Sequence, residues 1–437
     1  MSCSHLAHLV WLSLSVLALL GHHQYAHDLV RVRGCNAEAV LKEDNTGAFH
    51  INTSDPATQP VLVNGMNVDD LFETVAAQES MLHAYQAKVQ AQRSTISAQQ
   101  SMLSAQQGRI DALRAEVCKP SASTFGDLST SPYSAWAGGA LAKNGLIYAA
   151  PYNSPAVLII DTNTNTIDVT TIPNLGSARG KWAGGVLAHN GLIYMFPANM
   201  ATALIIDPET NTTDTTSISS LGFGQYKWFS GVVADNDLIF GVPLHATCVL
   251  IIDPETNTAD ITTLAGLSEQ GEKWHDGVQA PSGLIYCLPR AADSVLIIDP
   301  YTLTMGLRPL AGVGSGLKWL GGLLASNGLI YALPDRAATT LVIDPATNAT
   351  DLLSISEETS SDKWAGGVLA PNGNIVGIPF TSPSVYFFNP TTNATDTTSI
   401  QALAGSGKWH DGALANNGLI YAIPRSADAV LVIDPSC

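Results

Sequence analysis

Short apolar runs separated by polar turns repeat along most of the chain. One repeat reads WAGGVLA, then NGLIYxxP, then VLIIDP, and finally TDTTSI, with Asn-Gly, Pro and Asp-Pro between the runs. The runs are rich in Val, Ile, Leu, Tyr and Thr, and they are too short for helices between such breakers. Each repeat therefore predicts four β-strands.

A tryptophan opens every repeat. These residues are Trp136, Trp182, Trp228, Trp274, Trp319, Trp364 and Trp409, with gaps of 46, 46, 46, 45, 45 and 45 residues. Four-stranded units that recur every 40–45 residues or so are typical of β-propellers, whose blades close into a ring. The fold class that we predict is mainly β, a seven-bladed propeller of four-stranded blades.

The last repeat indicates how the ring closes. It stops at Cys437 after its third strand, and residues 123–128, just before the first Trp, supply a candidate fourth strand. The predicted propeller domain is thus 119–437. Closure would bring Cys118 and Cys437 together, and we predict a disulfide between them. Cys248 and Cys287 either pair or stay as thiols, and Cys35 could link two chains.

Residues 68–118 carry an apolar residue at every seventh position. The series is Val75, Leu82, Val89, Ile96, Leu103, Ile110 and Val117, beside a second stripe composed mostly of Gln. Such heptads predict a coiled-coil stalk, and a coiled coil needs a partner helix. We therefore predict a homo-oligomer, a trimer or a dimer. The alternative is an amphipathic helix that lies on the ring.

The N-terminal segment predicts secretion. Residues 9–20 form a 12-residue apolar run, which is the length of a signal-peptide core, so residues 1–26 are predicted to be a signal peptide. An uncleaved anchor is the alternative. No run reaches the roughly 18 apolar residues of a membrane span. Residues 27–67 predict a small β-rich neck or cap. In a secreted chain the candidate glycosylation sites are Asn52, Asn211, Asn348 and Asn393.

Composition limits the function classes. The net charge of −17 argues against nucleic-acid partners. The chain has no GxSxG, HExxH or CxxC motif and no glycine-rich phosphate loop. We therefore assign no catalytic residue, metal or cofactor, and the question of enzyme activity stays open, with the balance against it.

Strand directions divide the ring into two faces. The residues before each Trp and after each LIYxxP share one face, which we call the top face. Six Trp residues are preceded by lysine, namely Lys181, Lys227, Lys273, Lys318, Lys363 and Lys408. A ring of lysines on an acidic protein would attract an anionic ligand. The alternative is a structural role, in which each lysine pairs with an Asp in a neighbouring blade or covers the Trp with its stem.

Two blades differ from the others near the top face. The fourth contains His275, Asp276 and Arg290, and the seventh contains His410, Asp411 and Arg425. Histidine and arginine can hydrogen-bond a carboxylate, a sulfate or sugar hydroxyls, so these six residues are candidate ligand-binding residues. The alternative is that the two blades are copies of one sequence.

Two phrases of the repeat carry a family resemblance. Residues 204–212, LIIDPETNT, resemble the VIDxxTNT segment of YVTN-type propellers, and residues 190–197, NGLIYMFP, are similar to the GxIYxxG strand of kelch repeats. The resemblance covers about residues 121–437. Kelch blades carry Gly-Gly after their second strand, whereas this chain carries it in the first. Such families imply secreted or surface-exposed binding platforms, although some kelch propellers are enzymes.

These observations predict a secreted, oligomeric ligand-binding or adhesion protein that presents propellers on a coiled-coil stalk. Its expected ligand is an extracellular glycan or protein, or another anionic surface component. One alternative is a propeller lyase or hydrolase that acts on an anionic polysaccharide. The other is a structural matrix protein without a dedicated ligand.

Overall fold

The protein is a mainly β seven-bladed propeller of four-stranded blades, preceded by one long helix. The fold predicted from the repeats is confirmed. The computed structural model describes residues 30–34, 37–43, 49–53, 62–63, 66–313, 316–354 and 362–436. The predicted signal peptide, Cys35 and Cys437 lie outside the described residues.

The segment before the propeller contains short strands and the helix. Strands β1 (Val30–Gly34), β2 (Ala37–Glu43) and β3 (Phe49–Thr53) form an antiparallel sheet, β4 (Leu62–Val63) pairs with β5 (Met66–Asn67), and helix α1 spans Val68–Val117. The Asn67 side chain accepts a hydrogen bond from the Asp69 amide at 3.1 Å and caps the helix. The seven heptad residues are 43% to 78% exposed. The coiled coil remains a prediction.

Each blade is an antiparallel sheet whose first strand begins at the repeat tryptophan. The strands are β6 (Ser121–Phe125); β7 (Trp136–Leu141), β8 (Leu146–Pro151), β9 (Leu158–Asp161) and β10 (Thr166–Asp168) in blade 1; β11 (Trp182–Leu187), β12 (Ile193–Pro197), β13 (Leu204–Asp207) and β14 (Thr212–Asp214) in blade 2; β15 (Trp228–Val233), β16 (Ile239–Pro243), β17 (Leu250–Asp253) and β18 (Thr258–Asp260) in blade 3; β19 (Trp274–Gln279), β20 (Ile285–Pro289), β21 (Ser294–Asp299) and β22 (Thr304–Pro309) in blade 4; β23 (Trp319–Leu324), β24 (Ile330–Pro334), β25 (Thr339–Asp344) and β26 (Ala349–Ser354) in blade 5; β27 (Trp364–Leu369), β28 (Ile375–Pro379), β29 (Tyr386–Asn389) and β30 (Ala394–Asp396) in blade 6; and β31 (Trp409–Leu414), β32 (Ile420–Pro424) and β33 (Val430–Asp434) in blade 7.

Blade 7 takes its fourth strand from the start of the propeller. Strand β6 pairs with β33, from Val430 opposite Phe125 to Asp434 opposite Ser121. The closing strand begins two residues before the predicted segment, and it ends at Phe125 because Gly126 turns the chain with φ +82°. The predicted Cys118–Cys437 disulfide involves a residue outside the described part and stays a prediction. Cys248 and Cys287 are free thiols.

The repeat tryptophans tie each blade together. They are at most 5% exposed, and each indole Nε1 donates to the carbonyl oxygen twenty residues further on, at 2.7–2.9 Å. That carbonyl lies at the start of the third strand of the same blade or just before it. The indole therefore fixes the first strand to the loop that leads into the third, while its rings fill the space between blades.

Candidate functional site

Side chains from three repeat positions surround one cavity of about 190 Å³ in the propeller. The positions are the second residue before Trp, the residue after Trp, and the residue after the proline that ends the second strand. The lining residues are Tyr226, Glu272 and Asp362 from the first position, Phe229, His275, Leu320, Ala365 and His410 from the second, and Tyr152, Leu244, Arg290, Asp335, Phe380 and Arg425 from the third. We call this cavity the top cup.

The lining varies between blades while the frame does not. Tryptophan and the strand-ending proline occur in all seven blades, whereas the residue after Trp is Ala, Ala, Phe, His, Leu, Ala and His in turn. Residues that serve only the blade would be expected to repeat with it. The cup positions thus vary within a constant frame, which is the arrangement expected of a surface that recognises a ligand.

Local backbone geometry aims these side chains. The register between the first two strands of each blade shifts just after Trp, and such bulges redirect the side chains they contain. Tyr226, Glu272 and Asp362 have φ values of +53°, +56° and +56°. Ser134, Gly180 and Gly407, at the same position of blades 1, 2 and 7, also have positive φ, so this backbone conformation belongs to the repeat.

His275 and His410 are adjacent in the cup. They are 5% and 6% exposed, their ring centres are 5.6 Å apart, and Phe229 packs against both rings at 5.0 and 5.7 Å. Among the described residues, neither ring nitrogen of His275 has a hydrogen-bond partner, and Nδ1 of His410 also has none. Burial, reinforced by the two cup arginines, holds the pKa of both histidines well below the usual value. Both rings are therefore neutral at pH 7.

Arg425 is the cation of the cup that lacks a carboxylate partner. Its guanidinium carbon lies 5.1 Å from the centre of the Tyr152 ring and 5.7 Å from that of Phe380, and its Nε donates to Ser134 Oγ at 3.2 Å. No carboxylate in the described part of the chain forms an ion pair with it. The aromatic rings hold the guanidinium group in place and leave its two terminal nitrogens available.

An acidic group of residues lies on blades 4 and 5. Arg290 Nη1 is 3.0 Å from Glu272 Oε2, and Arg290 Nη2 is 4.0 Å from Asp335 Oδ2. Asp335 is 2% exposed, and its Oδ2 has no hydrogen-bond partner among the described residues. Burial raises the pKa of Asp335 to about 6, and the charge of Arg290 opposes that shift. The carboxyl group is thus mostly ionised at pH 7.

Asp276 and Asp411 occupy the next position, two residues after Trp, and do not line the cup. Asp276 accepts hydrogen bonds from the Gly277 amide at 2.9 Å, the Ser230 hydroxyl at 3.0 Å and the Gly322 amide at 3.1 Å. A Cβ on Gly366, at the same position of blade 6, would lie 2.8 Å from Asp411 Oδ1. The first strands of successive blades thus approach closely around this carboxyl group. Burial raises the pKa of both carboxyl groups, and the negative charge of Asp276 contributes to a value of about 7 for Asp411.

The six candidate lysines do not line the cup. They are at most 6% exposed, and every ammonium group donates to backbone carbonyls. Lys227 Nζ, for example, lies 2.8 Å from the Met200 carbonyl oxygen, 3.2 Å from that of Gly224 and 3.4 Å from that of Ala198. The acceptors are backbone carbonyls and not the Asp side chains of the alternative interpretation, and in four blades the ammonium group also lies 5.7–5.9 Å from the centre of the Trp ring. An exterior ligand cannot reach the ammonium groups without unfolding the loops.

The structure brings together four of the predicted ligand-binding residues. His275, His410, Arg290 and Arg425 line the same cup although they come from two blades. Sequence reasoning missed the aromatic and acidic members of the lining. Their signal was available, because each stands at a position where the repeats disagree.

The candidate glycosylation sites of the propeller, Asn211, Asn348 and Asn393, are not among the residues that line the cup. Asn211 and Asn348 accept hydrogen bonds from the hydroxyl groups of Tyr148 and Tyr286 in the neighbouring blade, at 2.8 and 2.7 Å. Asn393 lies in the equivalent turn of blade 6, and Asn52 is in β3. Their modification remains a prediction.

Within the described ranges, no group of three or more His, Cys, Asp or Glu residues is arranged to hold a metal ion. Over the same residues, no helix has both the length and the apolar character that crossing a membrane requires.

Comparisons with known proteins support the fold. No protein-family model matches the chain, and no curated protein matches it in sequence. Among solved structures, a streptogramin B lyase superposes with a TM-score of 0.59 at 11% identity, over 72% of this chain and 98% of that one. A catalytically inactive histidine-to-alanine variant of virginiamycin B lyase from Staphylococcus aureus, solved with quinupristin, gives 0.60 at 8% identity, over 72% and 99%. The likeness is one of fold.

A third similar structure has a different role. The extracellular domain of a putative one-component system from B. thetaiotaomicron gives a TM-score of 0.54 at 11% identity. The match covers 72% of this chain and 40% of that one. Propellers of this shape therefore occur both in lyases and in extracellular domains of signalling proteins.

Proposed function

We propose that the top cup binds a small ligand that carries a carboxylate, sulfate or phosphate group. The observation that supports this proposal most strongly is the guanidinium group of Arg425, held between two aromatic rings without a carboxylate partner. Cations that are partly removed from water are normally paired, and arginine presents a planar fork that matches such anions. The neutral rings of His275 and His410 add hydrogen-bonding groups beside it.

Arg425→Gln should weaken anion binding at least tenfold, because glutamine keeps much of the side-chain length but loses the charge. Binding is measured by calorimetry with glucuronate, phosphate and sulfate, with glucose as the uncharged reference. Arg308→Gln is the control, since Arg308 is exposed on β22. Equal affinities of the Arg425→Gln variant and the wild type, or no binding of any anion to the wild type, would contradict the proposal.

A lyase is the second candidate function. His275 supports it, because a neutral histidine whose ring nitrogens are unpartnered can accept a proton from a substrate. The lyases with the same fold make this chemistry a reasonable one to test. Incubation with anionic polysaccharides, followed by absorbance of unsaturated products, distinguishes the two functions. Product formation that disappears in His275→Ala would favour the enzyme, and binding without turnover would favour the receptor.

We propose in addition that the chain is secreted and self-associates through helix α1, so that several cups face an extracellular glycan at once. The exposed heptad stripe supports this proposal. Leaving such a stripe in water is costly, and linked binding sites gain avidity without new contacts.

Ile96→Asp should convert the oligomer into a monomer, because a carboxylate in the heptad stripe would have to be buried against another helix. Light scattering of the full chain gives the mass. Ser101→Asp, on the opposite side of the helix, is the control and should keep the wild-type mass. A monomeric wild-type chain would refute self-association.

A further inference from the structure

The top cup has two poles of opposite charge, and Phe380 stands between them. We infer that its ligand is a small zwitterion, whose anionic group binds Arg425 and whose ammonium group binds Asp335. The inference rests on the proposed function and narrows it to one class of ligand.

The order of the blades separates the poles. At the position after the strand-ending proline, blade 5 supplies Asp335, blade 6 supplies Phe380 and blade 7 supplies Arg425. The Phe380 ring contacts the Arg425 guanidinium at 5.7 Å and the His410 ring at 6.1 Å. A ligand that reaches both poles therefore passes an apolar wall, against which its carbon skeleton can pack.

At the acidic pole the carboxylates outnumber the guanidinium groups that pair with them by one. Glu272 and Asp335 share the single guanidinium group of Arg290, at 3.0 and 4.0 Å. The neighbouring Asp362 is already paired, because Arg336 donates to both of its oxygens at 2.7 and 3.1 Å. One carboxylate is left without a guanidinium group of its own, and the nearby Lys363 ammonium offsets part of its charge.

Glu272 Oε2 and Asp335 Oδ2 both lack a hydrogen-bond donor among the described residues, but the ion pair of Arg290 with Glu272 is the closer one. Arg290 Nη2, at 4.0 Å from Asp335 Oδ2, is too far to donate. The Lys363 ammonium donates to the backbone carbonyl of Asp335 at 2.9 Å. A buried carboxylate oxygen without a donor is costly, and an ammonium group of the ligand would supply both the donor and the charge. The raised pKa of Asp335 agrees with a carboxylate that awaits such a partner.

Other ligand charges fit less well. A purely anionic ligand that fills the cup would approach the surplus negative charge of Glu272 and Asp335, and like charges at such distances repel. An uncharged sugar would leave both poles unpaired. A zwitterion compensates each pole and adds no net charge to the cavity.

The test uses matched compounds. Three zwitterions of different skeleton, namely phenylalanine, 4-aminobutyrate and glucosaminic acid, are compared with their N-acetyl derivatives, which keep only the anion, and with their methyl esters, which keep only the cation. Calorimetry with the full chain at pH 7.5 gives each Kd. We expect at least one zwitterion to bind tenfold or more tightly than both of its derivatives.

Two variants assign the poles. Asp335→Asn should weaken binding of that zwitterion at least tenfold, and it should leave the affinity of the N-acetyl derivative unchanged or higher. Arg425→Gln should weaken the binding of both the zwitterion and its N-acetyl derivative. Asp235→Asn, at an exposed turn, is the control. The comparison of compounds on the wild-type chain decides the question even where a variant fails to fold.

The outcomes separate this inference from the proposed function. If an N-acetyl derivative binds as tightly as its zwitterion and still requires Arg425, the inference of a zwitterionic ligand is wrong. The proposed anion site at Arg425 then stands. Failure of all nine compounds, together with failure of the simple anions, would overturn both.

Discussion

Lys227→Met is expected to lower the free energy of unfolding by about 2 kcal/mol, because the partly buried carbonyl oxygens of Met200 and Gly224 lose the ammonium donor. Methionine keeps the length and the apolar stem of lysine, so packing against Trp228 is retained. The ammonium group, however, now bonds to the carbonyls of Ala198, Met200 and Gly224. These carbonyls belong to two loops of the top face, and both loops lose their shared anchor.

Chemical unfolding at pH 7 measures the change. Lys143→Met is the matched control, because Lys143 is exposed and should change the free energy of unfolding by less than about 0.5 kcal/mol. Equal stabilities of the two variants would show that the Lys227 ammonium does not hold the loops. Loss of glucuronate binding without loss of stability would instead show that Lys227 takes part in ligand binding.

Asp411→Asn is expected to stabilise the protein above pH 7. The folded state raises the pKa of this carboxyl group from 3.8 to about 7. Between these values the unfolded chain loses a proton that the folded chain retains, so wild-type stability falls as pH rises through this window. Above pH 7 both states are ionised and the loss is constant. Asparagine cannot ionise, so the variant avoids the loss, while its amide oxygen can still accept from the Gly412 amide.

The size of the effect follows from the shift. Each pKa unit corresponds to about 1.4 kcal/mol, but Asp411 keeps some solvent contact, so we expect a gain of about 2 kcal/mol at pH 8. The free energy of unfolding, measured from pH 5 to pH 8.5, should become increasingly larger for the variant than for the wild type as pH rises. Asp235→Asn, at an exposed turn, should run parallel to the wild type. Parallel curves for Asp411→Asn would refute the raised pKa.

The fold was predictable because its signals are local and repeated. Each strand is bounded by its own turn residues, and the period of the tryptophans counts the blades. The existence of the closing strand was predictable, because the seventh repeat lacks a fourth strand of its own. Its limits were not, since they depend on pairing with β33 across the whole ring and on the turn at Gly126.

The lysines show why the site was harder to predict than the fold. Their position before Trp places them at the start of a strand, and sequence alone does not show whether the side chain turns outwards or under the adjoining loops. Lys181 turns inwards because the carbonyl oxygens of Ser154 and Ala178 lie within 2.7 and 3.2 Å of its ammonium group. Those acceptors are backbone groups, and backbone groups leave no trace in the pattern of residue types.

The cup residues were hidden for the opposite reason. Phe229 and Asp335 stand at repeat positions where other blades have alanine or another residue. They are therefore absent from a consensus of the repeats, which keeps only what the blades share. His275 and Arg425 were found because blades 4 and 7 happen to agree. A comparison of the repeats position by position, looking for disagreement, would have found the complete lining.

The closure of blade 7 determines how the ring responds to mechanical force. Tension that enters through the chain before Ser121 acts at one end of the β6–β33 pair, and Asp434, at the same end, is close to the C-terminus. An antiparallel pair loaded from one end opens like a zipper, one hydrogen bond after another, and resists far less than a pair that is sheared along its length. If the molecule is anchored by its N-terminal segment and pulled by its C-terminus, the predicted Cys118–Cys437 disulfide would carry the tension past this pair, and blade 7 would open first only after that bond is reduced.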